Sequence, residues 1–149
     1  MSSGLVEQVW LRLGERRVAV HVLELGLACC GVEMREARRV AEWLHAAGGD
    51  PGVIHAGESG PPDLHVLVVA GTVTKQLAHV LSDALAEVPE PRAVVAFGAC
   101  ASTGGPYWDS YSVIPGAHEV VRVDVWVPGC PPRPGDLVAA LAEVLHGRP

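Results

Sequence analysis

The stretch Asp63–Gly71, DLHVLVVAG, is apolar at every position from Val66 to Ala70. It lacks the polar–apolar alternation of a half-exposed strand. Such a run, closed by a glycine, predicts a strand buried on both faces, the usual state in a parallel sheet covered by helices. Three more runs extend the pattern outward. RRVAVHVLEL (16–25) precedes it, RAVVAFGAC (92–100) repeats it, and HEVVRVDVWVPGC (118–130) alternates through Val121, Val123, Val125 and Val127. Between the strands lie helical stripes. Met34, Ala37, Ala41 and Leu44 share one face, and Leu77, Val80, Leu81, Ala84 and Leu85 form a second stripe within 73–88, closed by Pro89 and Pro91. Pro134 suits a first helical position, followed by Leu137, Leu141, Val144 and Leu145. Strands alternating with helices predict an α/β fold. The expected architecture is a single domain over 1–149, with a mostly parallel four-stranded sheet flanked by helices in a flavodoxin-like manner. Residues 1–15 read as an N-terminal extension, and 48–62 and 101–116 as irregular loops.

Composition narrows the function classes. The chain has 149 residues, a formal charge of −6 and no Lys/Arg run, which argues against nucleic-acid binding. No apolar stretch approaches the roughly 18–20 residues of a bilayer-crossing helix, and the first residues lack a secretory signal. A soluble cytosolic protein is expected. A mean hydropathy of +0.27 with four tryptophans suggests apolar surface meant for a partner.

The four cysteines are the most informative residues. Cys29 and Cys30 follow the first predicted strand, within GLACCGVEM (26–34). Cys100 ends the third and Cys130 the fourth. In an open parallel sheet, ligands bind at the carboxyl ends of the strands, and all four thiols fall at that edge. Three readings are open. Disulfides or buried apolar cysteines fit poorly with a reducing compartment. A structural zinc ion usually takes ligands spaced C-x₂₋₄-C, whereas neighbouring side chains diverge. A cubane [4Fe–4S] cluster offers separate iron corners that adjacent cysteines can reach, and it is the reading the vicinal pair favours. Glycines at 31, 71, 98, 104, 105 and 129 would expose backbone N–H groups to such a dianionic site.

The segments GLACCGVEM, VVAGT, GACASTGGPY, YSVIPG and VDVWVPGCPPRP resemble the B subunit of NADH:quinone oxidoreductase, respiratory complex I, a family related to [NiFe] hydrogenase small subunits. The resemblance runs from about Leu25 to Leu145. It implies that Cys29, Cys30, Cys100 and Cys130 bind the terminal [4Fe–4S] cluster, which takes electrons from an NADH-fed iron–sulfur chain and passes them to quinone. It also implies that the quinone site is shared with a large hydrogenase-like subunit. A ferredoxin-like subunit would be a further partner, and the chain would sit peripherally on the cytoplasmic side of the membrane. No activity is expected of the isolated chain. Arg35, Gln76 and His79 depart from the family pattern, and the loop after Cys100 carries one extra residue.

Two alternatives accompany this reading. One is the small subunit of a [NiFe] hydrogenase-like complex. Such subunits tend to use C-x-x-C, and here Glu33 stands where the second cysteine after Cys30 would fall. The other is a non-catalytic assembly paralogue, which the four retained thiols disfavour. Ser102, Thr103, Tyr107 and Tyr111 form a polar loop beside Cys100 without a histidine placed as a base. His21 and His65, inside strand runs, read as locally satisfied rather than as metal ligands.

Overall fold

A computed structural model describes residues 6–13, 15–24, 52–54, 61–105, 109–129 and 134–146. The strands are β1 (Val6–Leu13), β2 (Arg16–Glu24), β3 (Gly52–Ile54), β4 (Leu64–Ala70), β5 (Arg92–Phe97) and β6 (Val125–Val127). The helices are α1 (Ala78–Glu87), α2 (Ala99–Thr103) and α3 (Pro134–His146). The strands form one six-stranded sheet in the order β3-β1-β2-β4-β5-β6. Strands β2, β4, β5 and β6 run parallel, as their apolar runs predict.

The sheet is wider than four strands. The N-terminal segment adds β1, antiparallel to β2, and β3 pairs antiparallel with β1 inside the loop read as irregular. Both escape a periodicity reading for physical reasons. VEQVWLRL does not alternate cleanly, and three residues are too few to show a period.

The pleat divides the core into two. Val18, Val20, Val22, Val66, Val68, Val95 and Phe97 point to one face and pack against Leu137, Leu141 and Val144 of α3. Leu23, Leu67, Val69, Val94 and Ala96 point to the other, against Leu81 and Ala84 of α1. Period-two strand patterning meets period-3.6 helix patterning on each side. A fully buried leucine such as Leu81 contributes about 1.5–3 kcal/mol in this setting.

Two predicted elements are shorter than their sequence patterns. The stripe from Val73 yields a helix only from Ala78, because other partners hold the preceding residues. Val73 and Lys75 bond to Ile114 and Ser112, and the Leu77 amide closes a turn on Thr74. The alternating run 118–130 yields a strand only over Val125–Val127. Upstream, Ala117–Glu119 is a 3₁₀ turn, and Val121 and Val123 are buried from irregular backbone. Asp124 is the entry point to the strand. Its amide donates to the Val94 carbonyl, and its carboxylate accepts the Val94 N–H at 2.8 Å.

Candidate functional site

The register aligns the carboxyl ends of the strands that the cysteines follow in sequence. Glu24, Ala70, Phe97 and Val127 are successive lateral partners, one row crossing β2, β4, β5 and β6 near their carboxyl ends. In sequence, Cys29 follows Glu24 by five residues, Gly71 follows Ala70 by one, and Cys100 and Cys130 follow Phe97 and Val127 by three each. Cys29, Cys30 and Cys130 themselves lie outside the described residues, as do Glu33 and the helix expected over 34–44.

Beyond the row, β5 and β6 stay coupled. The Gly98 amide donates to the Val127 carbonyl at 2.8 Å, and the Ala99 amide to the Gly129 carbonyl at 2.7 Å. The residues immediately before Cys100 and Cys130 are therefore hydrogen-bonded to each other. Gly129 makes this bond with φ of 137°, a conformation that disfavours side chains.

Cys100 is a free thiol, 2 % exposed, in the first turn of α2. Gly104 ends that helix in the left-handed region, and its amide donates to the Cys100 carbonyl at 3.1 Å. Gly105, with φ of 56°, then turns the chain back against the start of the helix. A Cβ there would stand 3.1 Å from Cys100 Sγ and 3.1 Å from the Cys100 nitrogen. Glycine thus keeps a side chain off the flank of the sulfur. A soft thiolate donor with no side chain crowding it suits an iron–sulfur cluster.

The polar loop beside Cys100 is structural where it is described. The Thr103 hydroxyl donates to the Ala99 carbonyl at 3.3 Å. Ser102 is buried, and its hydroxyl has no partner among the described residues. Two positions along a helix is a turn of about 200°, so this hydroxyl faces away from the Cys100 sulfur. The loop is clamped to the chain after β4. Thr74 and Val113 form a bridge, the Ile114 N–H donates to the Val73 carbonyl at 2.8 Å, and Lys75 Nζ lies 4.1 Å above the Tyr111 ring. The apolar pair Val113–Ile114 in an otherwise polar loop is the signal for this clamp. Among the described residues no three His, Cys, Asp or Glu side chains gather as a metal site.

His21 and His65 meet each other, as locally satisfied residues should. His21 Nε2 and His65 Nδ1 are 3.1 Å apart across β2 and β4. Burial lowers the pKa of both, and the neighbouring His65 adds to the effect on His21.

The family model for the 20 kDa subunit of NADH ubiquinone oxidoreductase matches residues 28–144. The chain is 44% identical over 122 residues to the second of the NADH-quinone oxidoreductase B subunits of Symbiobacterium thermophilum, covering 82% of this chain and 64% of that protein. It is 42% identical over 129 residues to the first of the corresponding B subunits of Salinispora tropica, covering 87% and 66%. Relative to these proteins it spans somewhat under two thirds of their length. Among solved structures it resembles a chain of the membrane-bound sulfane sulfur reductase, an archaeal respiratory membrane complex. The TM-score is 0.61 at 26% identity, over 84% of this chain and 68% of that one. A chain of the NAD+-reducing [NiFe]-hydrogenase shares the fold, with a TM-score of 0.51 at 22% identity over 89% and 92%.

Proposed function

Since the chain belongs to the NADH ubiquinone oxidoreductase 20 kDa subunit family, we propose that it is the electron-transfer subunit of an NADH:quinone oxidoreductase-type complex, with Cys29, Cys30, Cys100 and Cys130 as ligands of one [4Fe–4S] cluster. The observation that supports this reading is the continuous row Glu24–Ala70–Phe97–Val127, after which the cysteines follow in sequence on three of its four strands.

Each ligand segment contributes differently. β2, paired along its length with β4, would carry the segment that leads to the vicinal pair. The Ala99–Gly129 hydrogen bond ties the Cys100 and Cys130 segments together, so that two ligands start from one backbone unit. Gly104 and Gly105 wrap α2 while adding no side chain beside Cys100 Sγ. When bound, the cluster would supply one-electron transfer. Burial of the Cys100 segment keeps water from that ligand and limits reorganisation around it.

Quinone would be the acceptor, at an interface shared with a large hydrogenase-like subunit, and a ferredoxin-like subunit would be the donor side. The chain would be peripheral to the membrane on its cytoplasmic face. No helix among the described residues is long and apolar enough to cross a membrane. Tyr111, 88 % exposed, and the half-exposed Trp126 of β6 are large side chains available to such partners. The assembly is tested by anaerobic copurification of the tagged full chain, followed by parallel assays of NADH–quinone and hydrogen chemistry. A hydrogenase-like large subunit with NADH–quinone activity is expected. Hydrogen turnover would favour the hydrogenase reading, and a complex devoid of both would favour an assembly role.

A further inference from the structure

One polar pair lies inside the otherwise apolar junction of the first two parallel strands. His21 is the register partner of Leu67, and His65 that of Ala19, so the two rings sit diagonally on the face that packs against α1. Their facing nitrogens are 3.1 Å apart, the ring centroids 5.3 Å apart and the planes 30° apart. The centroid separation is about the contact distance plus one ring radius at each end. The nitrogens therefore point at one another along the line joining the rings. A metal ion would need both lone pairs to converge on a point off that line. The geometry is that of one N–H donated between two imidazoles.

We propose that this pair is an acid-sensitive latch between β2 and β4, closed while the facing nitrogens share one proton and released when each carries its own. A proton added to an outer nitrogen leaves the shared bond in place but brings a charge into the partly buried site, which burial disfavours. A second one sets two N–H donors and two positive charges against each other in a partly buried space, where screening is weaker than in bulk water.

The surrounding charges offer little relief. Arg17 of β2 and Asp63, just before β4, hold each other, with the Arg17 amide bonded to the Asp63 carboxylate at 2.8 Å and the guanidinium 3.8 Å away. Arg92 of β5, the register partner of His65, spends Nη1 on the Leu85 and Val88 carbonyls. Gln8 of β1, opposite His21, carries no charge. On α1, Asp83 and Glu87 are exposed. The net effect of these surroundings on both rings is to disfavour the charged form, through burial first.

The latch matters because β2 runs on toward Cys29, eight positions past His21, and β4 is its one parallel neighbour. Both rings bind protons less readily in the fold than in the unfolded chain, whose histidines titrate near 6.5. The stability this contributes is present above that value and is lost as pH falls below it. Each proton refused by the folded pair lowers the folding equilibrium constant by up to about tenfold per pH unit.

The test is denaturant unfolding of the full chain at about pH 7.5 and about pH 5.5, comparing wild type with the double variant His21→Gln, His65→Gln. Wild type should lose more stability than the variant over that interval, by up to about tenfold per pH unit in the folding constant for each ring. Parallel losses would overturn the proposal. If the double variant does not fold, ring-proton titration of the wild type decides. Both rings titrating below about 6.5 in coupled steps supports the latch, and either ring titrating independently at or above that value refutes it.

Discussion

The amide of Ala99 donates a 2.7 Å hydrogen bond to the carbonyl of Gly129, joining the residues that precede Cys100 and Cys130. Two segments that are thirty residues apart in sequence thus share one backbone contact beyond the end of the β5–β6 ladder. Main-chain geometry couples them before any group binds.

Gly129→Ala tests that contact. At φ of 137° an alanine is strained by about 1–3 kcal/mol, and relaxing the strain moves the carbonyl that Ala99 needs. Iron content after anaerobic reconstitution should fall, while circular dichroism stays near wild type. Thr103→Ala, at an exposed position, should retain its iron.

The glycines around α2 should differ in cost. At Gly105 a Cβ meets Cys100 Sγ and nitrogen at 3.1 Å, with φ of 56° in the ordinary left-handed region. At Gly116 it meets the Ser102 carbonyl more closely still and His118 Nδ1 at 2.6 Å, with φ of 113°. Gly105→Ala should lose about 1–2 kcal/mol, and Gly116→Ala distinctly more, in urea unfolding.

Arg92 caps α1 from outside. Its Nη1 bonds to the Leu85 carbonyl at 3.0 Å and the Val88 carbonyl at 3.1 Å, at the end of the helix where the regular ladder stops. Arg92→Met keeps the aliphatic stem and loses both charge-assisted bonds. A loss of about 1–3 kcal/mol is expected by denaturant unfolding.

Leu81 and Leu77 look equivalent in the helical stripe of the sequence, but only Leu81 lies within α1 and is fully buried. Leu81→Ala should cost about 2–5 kcal/mol, and Leu77→Ala less, since Leu77 is partly buried at the helix start. Thermal unfolding of the two variants side by side checks the order.

The parallel strands were legible because two-sided burial writes continuous valine-rich runs such as Val66–Ala70. Cys100 was legible as an edge residue because β5 ends three residues before it. β1 was not, since an antiparallel strand with Trp10 among its apolar residues gives no clean alternation. The His21–His65 contact depends on inter-strand register, which no local pattern encodes. Gly105 is similar. Its role follows from a chain reversal that brings it against a residue five positions earlier, and the sequence shows only a pair of glycines.

The most direct measurement is the iron and acid-labile sulfide content of the full chain reconstituted without air, with each cysteine replaced in turn by alanine. The proposal requires about four iron and about four sulfide per wild-type chain, broad absorption near roughly 400 nm, and a paramagnetic reduced state. It also requires loss of the cluster in Cys29→Ala, Cys30→Ala, Cys100→Ala and Cys130→Ala. Stoichiometric zinc without sulfide in protein isolated anaerobically, or an intact cluster in either the Cys100 or the Cys130 variant, would contradict it.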